Sequence, residues 1–91
     1  DSVVAAQAAD ALLQMIGIEA SFVISRRDDN TVAVSARSTG SFNVQLVMEA
    51  MGGGGHLSNA ATQVSDTTTT AVYEQLLSVL AGANDDSDNE D

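Results

Sequence analysis

The sequence contains no cysteine. That absence excludes disulfide staples, thiolate metal sites and a cysteine nucleophile; it leans away from stapled secreted scaffolds but leaves the compartment open. Aromatic residues are nearly as scarce, at 3% of the chain, although 44% of it is apolar. The core must therefore be assembled from Ala, Val, Leu and Ile. At 91 residues that core is thin, because a domain of this size buries only roughly 60–65% of the surface its unfolded chain exposes. The length allows one small domain and excludes a multidomain enzyme. No apolar run approaches the roughly 18–20 residues of a membrane span, and no signal-peptide pattern is present. The chain opens on Asp1 instead of Met, which we read as the mark of a piece of a longer protein.

Basic residues are the third scarcity. Thirteen acids face three bases, Arg26, Arg27 and Arg37, for a formal charge of -10. Five of the acids (Asp85, Asp86, Asp88, Glu90 and Asp91) fall in the last seven residues, and residues 1–84 still carry eight acids against three bases. Tracking a long nucleic acid requires several Lys or Arg contacts to phosphate. Three arginines, two of them adjacent, cannot supply such a stripe, which excludes long DNA or RNA. A small anion held by one arginine and backbone amides stays compatible. The single histidine and the scattered Asp10, Glu49, Asp66 and Glu74 form no two-metal centre and no nucleophile–base–orienter set. Spacing alone leaves a carboxylate dyad open, but nothing marks one. The chain by itself is expected to bind, not to catalyse.

The periodicity predicts an α+β fold. Residues 2–16 are dominated by good helix formers, with an apolar stripe through Ala5, Ala8, Ala9, Leu12 and Ile16 and a stop at Gly17. Glu19–Arg26 alternates, with Ala20, Phe22 and Ile24 on one face. Thr31–Arg37 does the same through Val32, Val34 and Ala36, and Arg27–Asn30 has turn chemistry, so the two segments form an antiparallel hairpin. Val44, Val47, Met48 and Met51 stand at the spacing of one helical stripe that Gly52 ends. Ala60–Val64 reads as a short strand. A third helix starts within Asp66–Thr70, ends near Leu80 with Gly82 as its stop, and buries Val72, Leu76, Val79 and Leu80. The order is α-β-β-α-β-α, a small mixed sheet with helices on one or both faces. The domain spans residues 1–82, and 83–91 form an acidic tail expected to be disordered.

The densest signal is Gly52-Gly53-Gly54-Gly55-His56. A helix-to-strand connection needs one glycine at the cap, and four add conformational entropy that folding must overcome. A flexible linker is the plain account, yet linkers usually mix in serine and do not end on the only histidine of the chain. The sharper account is bare backbone that lets a ligand come close, with amide N–H groups aimed at an anion and His56 donating to a phosphoryl oxygen. Arg37 and Ser38 close the second strand, where a guanidinium fork and a hydroxyl suit phosphate; a solvated strand-end charge is the usual fate of such an arginine. Arg26 and Arg27 read instead as a surface salt-bridge cluster with Asp28 and Asp29. Ala60-Ala61 fits either plain small-residue packing or the approach of a flat base.

Ser35-Ala36-Arg37-Ser38, the stretch Asn43–Met48, Met51–His56 and Asn59-Ala60-Ala61-Thr62-Gln63 together resemble the DHH-associated domain, and most closely that of GdpP-type cyclic-di-AMP phosphodiesterases. The resemblance is strong over residues 31–80 and looser before them. It implies a membrane-anchored enzyme with this domain on the cytoplasmic side, behind a PAS-like sensor, a degenerate GGDEF domain and a DHH domain. The implied DHH domain holds two Mn²⁺ ions and opens cyclic di-AMP to pApA, while the associated domain closes over the substrate. Gly52, Gly53, Gly54, Gly55 and His56 inherit a role in binding phosphate and nucleotide. Arg37 and Ser38 match the phosphate-contacting strand end, and Asn59 follows by proximity to the motif. The partners implied are the cyclic dinucleotide or pApA and the upstream DHH domain, and a homodimer is left open. Other owners of such a domain are oligoribonucleases, RecJ-like nucleases and alanyl-tRNA synthetase; polymer-handling members should carry more than three Lys and Arg. A non-enzymatic interaction module with the glycine run as a hinge is the alternative from another class.

Overall fold

The computed structural model describes the backbone of residues 2–13 and 18–88 and the side chains of 3–13 and 18–82. Its elements are α1 (Ser2–Leu13), β1 (Ala20–Arg26), β2 (Thr31–Ser38), α2 (Val44–Ala50), β3 (Gly54–His56), β4 (Asn59–Ser65) and α3 (Thr69–Asp88). The expected order is present, with one strand more: the end of the glycine run is itself the strand β3.

The sheet has four strands in the order β1-β2-β4-β3. Every neighbouring pair is antiparallel, so the sheet is not mixed as expected. The extra strand is the reason. Because β3 and β2 are both antiparallel to β4, they run the same way, with α2 crossing between them. A tight reversal at Leu57-Ser58 then returns β4 into the gap, antiparallel to both. A sequence reading that omits β3 also omits this reversal.

Alternation sorts the two faces of the sheet. Ala20, Phe22 and Ile24 of β1, Val32, Val34 and Ala36 of β2, and Ala60 and Val64 of β4 meet Val44, Val47, Met48 and Met51 of the α2 segment and Val72 and Leu76 of α3. Val79 and Leu80 pack at the margin of the same cluster. Both helical stripes read from the sequence are therefore the buried ones. Phe22 and Phe42 meet edge to face at 6.5 Å, a geometry that the ring quadrupoles favour. The opposite face takes α1, which rests on β1 and β2 through the small side chains of Ala5 and Ala9, while Ser21 Oγ donates to the Ala9 carbonyl at 2.7 Å. The predicted stripe is wider than the observed contact, since Ala8 and Leu12 are exposed. The alanines let the helix come close along one narrow line only. The stop expected at Gly17, with Ile16 of the stripe, lies outside the described residues.

Two further expectations are corrected. Helix α3 continues through Gly82 to Asp88 instead of stopping near Leu80. A single glycine raises the helix free energy by about 1 kcal/mol but leaves i→i−4 bonding intact, and Ala81 and Ala83 beside it are the best helix formers. Residues 89–91 of the acidic tail lie outside the described residues. Arg26 and Arg27 form no salt bridge with Asp28 or Asp29 among the described residues. Asp28 instead caps the hairpin turn, its Oδ1 accepting from the N–H groups of Asn30 at 3.1 Å and Thr31 at 3.0 Å.

Those backbone donors, chiefly that of Asn30, hold the Asp28 carboxyl below its ordinary value of 3.8. A carboxyl lowered by folding stabilises the fold above its unfolded pKa, and that contribution fades as pH falls through the lowered value. NMR titration should therefore find Asp28 titrating below 3.8, and the acid-induced loosening of the turn should disappear in Asp28→Ala.

Candidate functional site

The glycine run has a defined place at every position, which overturns the linker reading. Met51 caps α2, and Gly52 follows at φ +88, where a Cβ would be strained. The N–H of Gly52 donates to the Glu49 carbonyl at 3.1 Å and that of Gly53 to the Met48 carbonyl at 2.8 Å, the two bonds of a Schellman cap. Thr62 Oγ1 on β4 donates to the Met51 carbonyl at 2.9 Å and ties the cap to the sheet. Gly53 lies so close to β4 that a Cβ there would fall 2.5 Å from Thr62 Cβ and would overlap the Ala61 carbonyl oxygen. Gly55, at φ +142, would meet Ala60 Cα at 2.5 Å. Gly54 differs from the other three: its φ is ordinary, and a Cβ would have no atom within 4 Å.

This geometry corrects the expectation that the four amides form an anion cradle. Two of them are committed to the end of α2. The two-residue turn makes His56 and Asn59 a hydrogen-bonded pair, and strict alternation along the ladder makes Gly54 and Ala61 another. The N–H of Gly55 is thus the one in the run that points outward from the edge of the sheet.

Side chains converge on the face that α1 covers only in part. Register places Arg37 opposite Asn59, and Asn59 opposite His56, so these three occupy one row across β2, β4 and β3. With strands about 4.8 Å apart, Arg37 and His56 are about 10 Å apart along the sheet. Asn59 and His56 are exposed. Arg37 is nearly covered, its side chain 14% accessible, with Nε donating to Asp10 Oδ1 at 2.8 Å and Nη1 to the Ala36 carbonyl at 2.9 Å. The next row is Ser35, Ala61 and Gly54, and the one after it pairs Ala33 with Gln63. Of these residues Ala33, Ser35, Ala61 and Gln63 line an open groove of about 280 Å³ together with Gly53, and Gly54 lies just outside it. A guanidinium, an amide and an imidazole therefore stand at one end of a flat floor of small side chains. That combination suits an anionic group carrying a planar or apolar body.

Ser38 is not part of this row. It is buried, its hydroxyl donating to the Leu57 carbonyl at 3.2 Å and accepting from the Gly40 N–H at 3.2 Å, while its N–H donates to the Ser58 carbonyl at 3.0 Å. The Leu57 carbonyl also accepts from Val44 N–H at 2.9 Å. Ser38 thus anchors the β3–β4 turn that carries His56 and Asn59. Alternation along β2 sends its side chain to the face opposite that of Arg37.

Asp10 is the residue the sequence reading passed over. It lies 27 positions from Arg37, and only the packing of α1 on β2 brings the two together. Among the described residues, no group of three or more His, Asp or Glu comes together that could hold a metal ion.

The profile of the DHHA1 domain matches residues 1–85. Over 79 residues (87% of the chain) the sequence is 56% identical to the cyclic-di-AMP phosphodiesterase PdeA of Listeria monocytogenes. It is 57% identical over 76 residues (84% of the chain) to the cyclic-di-AMP phosphodiesterase GdpP of Bacillus subtilis. A membrane protein–large ribosomal subunit bL9 fusion protein of Aster yellows witches'-broom phytoplasma is 45% identical over 71 residues, which cover 78% of the chain and 8% of that protein. The matched region spans 12% of the length of each of the two phosphodiesterases.

Proposed function

The chain belongs to the DHHA1 domain family, and from that membership we propose that it is the substrate-binding part of a phosphodiesterase that opens cyclic di-AMP to pApA. The observation that carries the reading is the row Arg37–Asn59–His56 beside the bare floor at Gly54 and Ala61. A cyclic dinucleotide presents two phosphates and two flat bases. In this reading Arg37 and His56 take phosphate oxygens, the Gly55 N–H adds a donor at the sheet edge, and a base or ribose lies over Ala61 and Gly54. A compact ligand of this kind is compatible with a chain of charge -10, in which a polymer would meet repulsion along most of its length. The similarity to two proteins named as cyclic-di-AMP phosphodiesterases supports the choice of substrate.

Bond cleavage falls to the rest of the protein. We assign the two manganese ions to an upstream DHH domain, which would supply the activated water. The residues here bind and orient the substrate and exclude water from one side of it. By the same resemblance we place the full-length protein at the membrane, with this domain on the cytoplasmic side.

Hydrolysis of cyclic di-AMP by the full-length protein tests the reading. A hydrogen bond to a charged group is worth about 1.5–3 kcal/mol, so His56→Ala should lower kcat/KM by roughly 10–150-fold. The side chain is exposed, so the circular dichroism spectrum and melting temperature should not move. Full turnover in His56→Ala would remove the histidine from the site.

A further inference from the structure

We propose that Asp10 is a positioning residue that holds the guanidinium of Arg37 in the orientation in which it meets an anion. The inference rests on the reading of this face as the substrate-binding surface. A free arginine side chain has four rotatable bonds, and its fork matches a phosphate only when the guanidinium plane is fixed. Two bonds fix it here: Nε to Asp10 Oδ1 at 2.8 Å and Nη1 to the Ala36 carbonyl at 2.9 Å. Among the described residues Nη2 has no hydrogen-bond partner, which leaves its two donors for a ligand.

Asp10 can serve in this way because its own backbone is anchored. It sits on α1 directly after Ala9, which is fully buried and whose carbonyl receives the Ser21 hydroxyl at 2.7 Å. The carboxylate itself is 59% accessible while its partner is 14% accessible, so the pair straddles the boundary between helix and groove. An ion pair this exposed adds little stability. Its consequence is geometric: the placement of α1 on the sheet sets the direction in which the arginine presents its remaining donors. Electrostatics work the other way, since a carboxylate beside Arg37 offsets part of the charge that attracts phosphate. The two effects carry opposite signs and so can be separated.

The test is steady-state hydrolysis of cyclic di-AMP by the full-length protein carrying Asp10→Ala, Asp10→Asn, Arg37→Ala and the double substitution Asp10→Ala/Arg37→Ala. Misplacing a binding group by about 1 Å can cost on the order of 100-fold, and Asp10→Ala, which leaves the Ala36 bond in place, should lower kcat/KM by roughly 10–100-fold. Asp10→Asn keeps an acceptor for Nε and should retain most of the activity. The double substitution should be no worse than Arg37→Ala alone, because Asp10 then has nothing to position. A lower KM in Asp10→Ala would overturn the proposal in favour of charge neutralisation. An unchanged kcat/KM with a lowered melting temperature would overturn it in favour of a purely structural pair. Full activity in Arg37→Ala would instead remove Arg37 from the substrate surface, a failure of the underlying reading and not of the pairing.

Discussion

Replacing Gly53 by alanine should lower the melting temperature of the chain by roughly 10–20 °C, the largest structural effect expected of any single methyl group added here. The position is ordinary in its backbone angles; the obstacle is β4. A Cβ would overlap the Ala61 carbonyl oxygen and stand 2.5 Å from Thr62 Cβ and 2.6 Å from Thr62 Cα. None of those atoms is the far end of a flexible side chain, so relief requires backbone to move. Overpacking is destabilising by about 1–3 kcal/mol, occasionally more, and a clash with backbone belongs at the upper end of that range; each kcal/mol shifts the melting point of a domain of this size by about 4–8 °C. Moving β3 away would also pull on the Gly53 N–H bond to Met48 and on the Thr62 hydroxyl bond to Met51, so the end of α2 would loosen with it. Gly55→Ala should behave similarly, for a combined reason: its φ of +142 disfavours any side chain, and Ala60 leaves no space for one. Thermal unfolding by circular dichroism checks both, and a melting point within 2–3 °C of the parent for Gly53→Ala, a change of well under 1 kcal/mol, would show that β3 does not pack on β4 as described.

These glycines explain why part of the fold was legible in the sequence and part was not. Period-2 alternation over Ala20–Ile24 and Val32–Ala36 exposes a hairpin to inspection, and the spacing of Val44, Val47, Met48 and Met51 does the same for a helix. A strand written in glycine has no side chains from which to read a period, so β3 was invisible, and the all-antiparallel pairing was invisible with it. The candidate site divides along the same line. His56 stood out as the only histidine and Arg37 as the one arginine away from the hairpin turn, and register unites them with Asn59 in one row. Ser38 looked equivalent to Arg37 because neighbours in a strand are adjacent in sequence, yet they face opposite sides. The Asp10–Arg37 pair depends on how α1 lies on the sheet, a packing outcome with no local signature. The glycine amides looked like an anion cradle because bare backbone lets a ligand come close, but the orphan carbonyls at the end of α2 take two of them.

Gly54→Ala should leave the fold intact and, on the proposed function, impair hydrolysis by the full-length protein, and it separates the ligand reading of the glycine run from every structural one. Gly52 turns the chain out of α2, Gly53 clears β4, and Gly55 clears Ala60; at Gly54 a Cβ meets nothing within 4 Å and the backbone conformation suits any residue. If only the fold mattered, alanine here would be neutral or better, since removing a glycine where the conformation allows it stabilises a protein by about 0.4–1 kcal/mol through the unfolded state. The same Cβ would rise from the face shared with Ser35 and Ala61, beside the row of Arg37, Asn59 and His56. A dinucleotide seated on that floor would have to lift by most of a methyl diameter. A misfit of this kind is worth about 1–3 kcal/mol, so kcat/KM for cyclic di-AMP in the full-length protein should fall by about 5–150-fold. Larger side chains should extend the trend, with Gly54→Val and Gly54→Leu progressively worse in KM while their melting temperatures hold. The melting temperature holds while KM worsens only if the empty space above Gly54 belongs to a ligand. Unchanged KM across the series would mean that the space is plain solvent and that the substrate lies elsewhere on the domain.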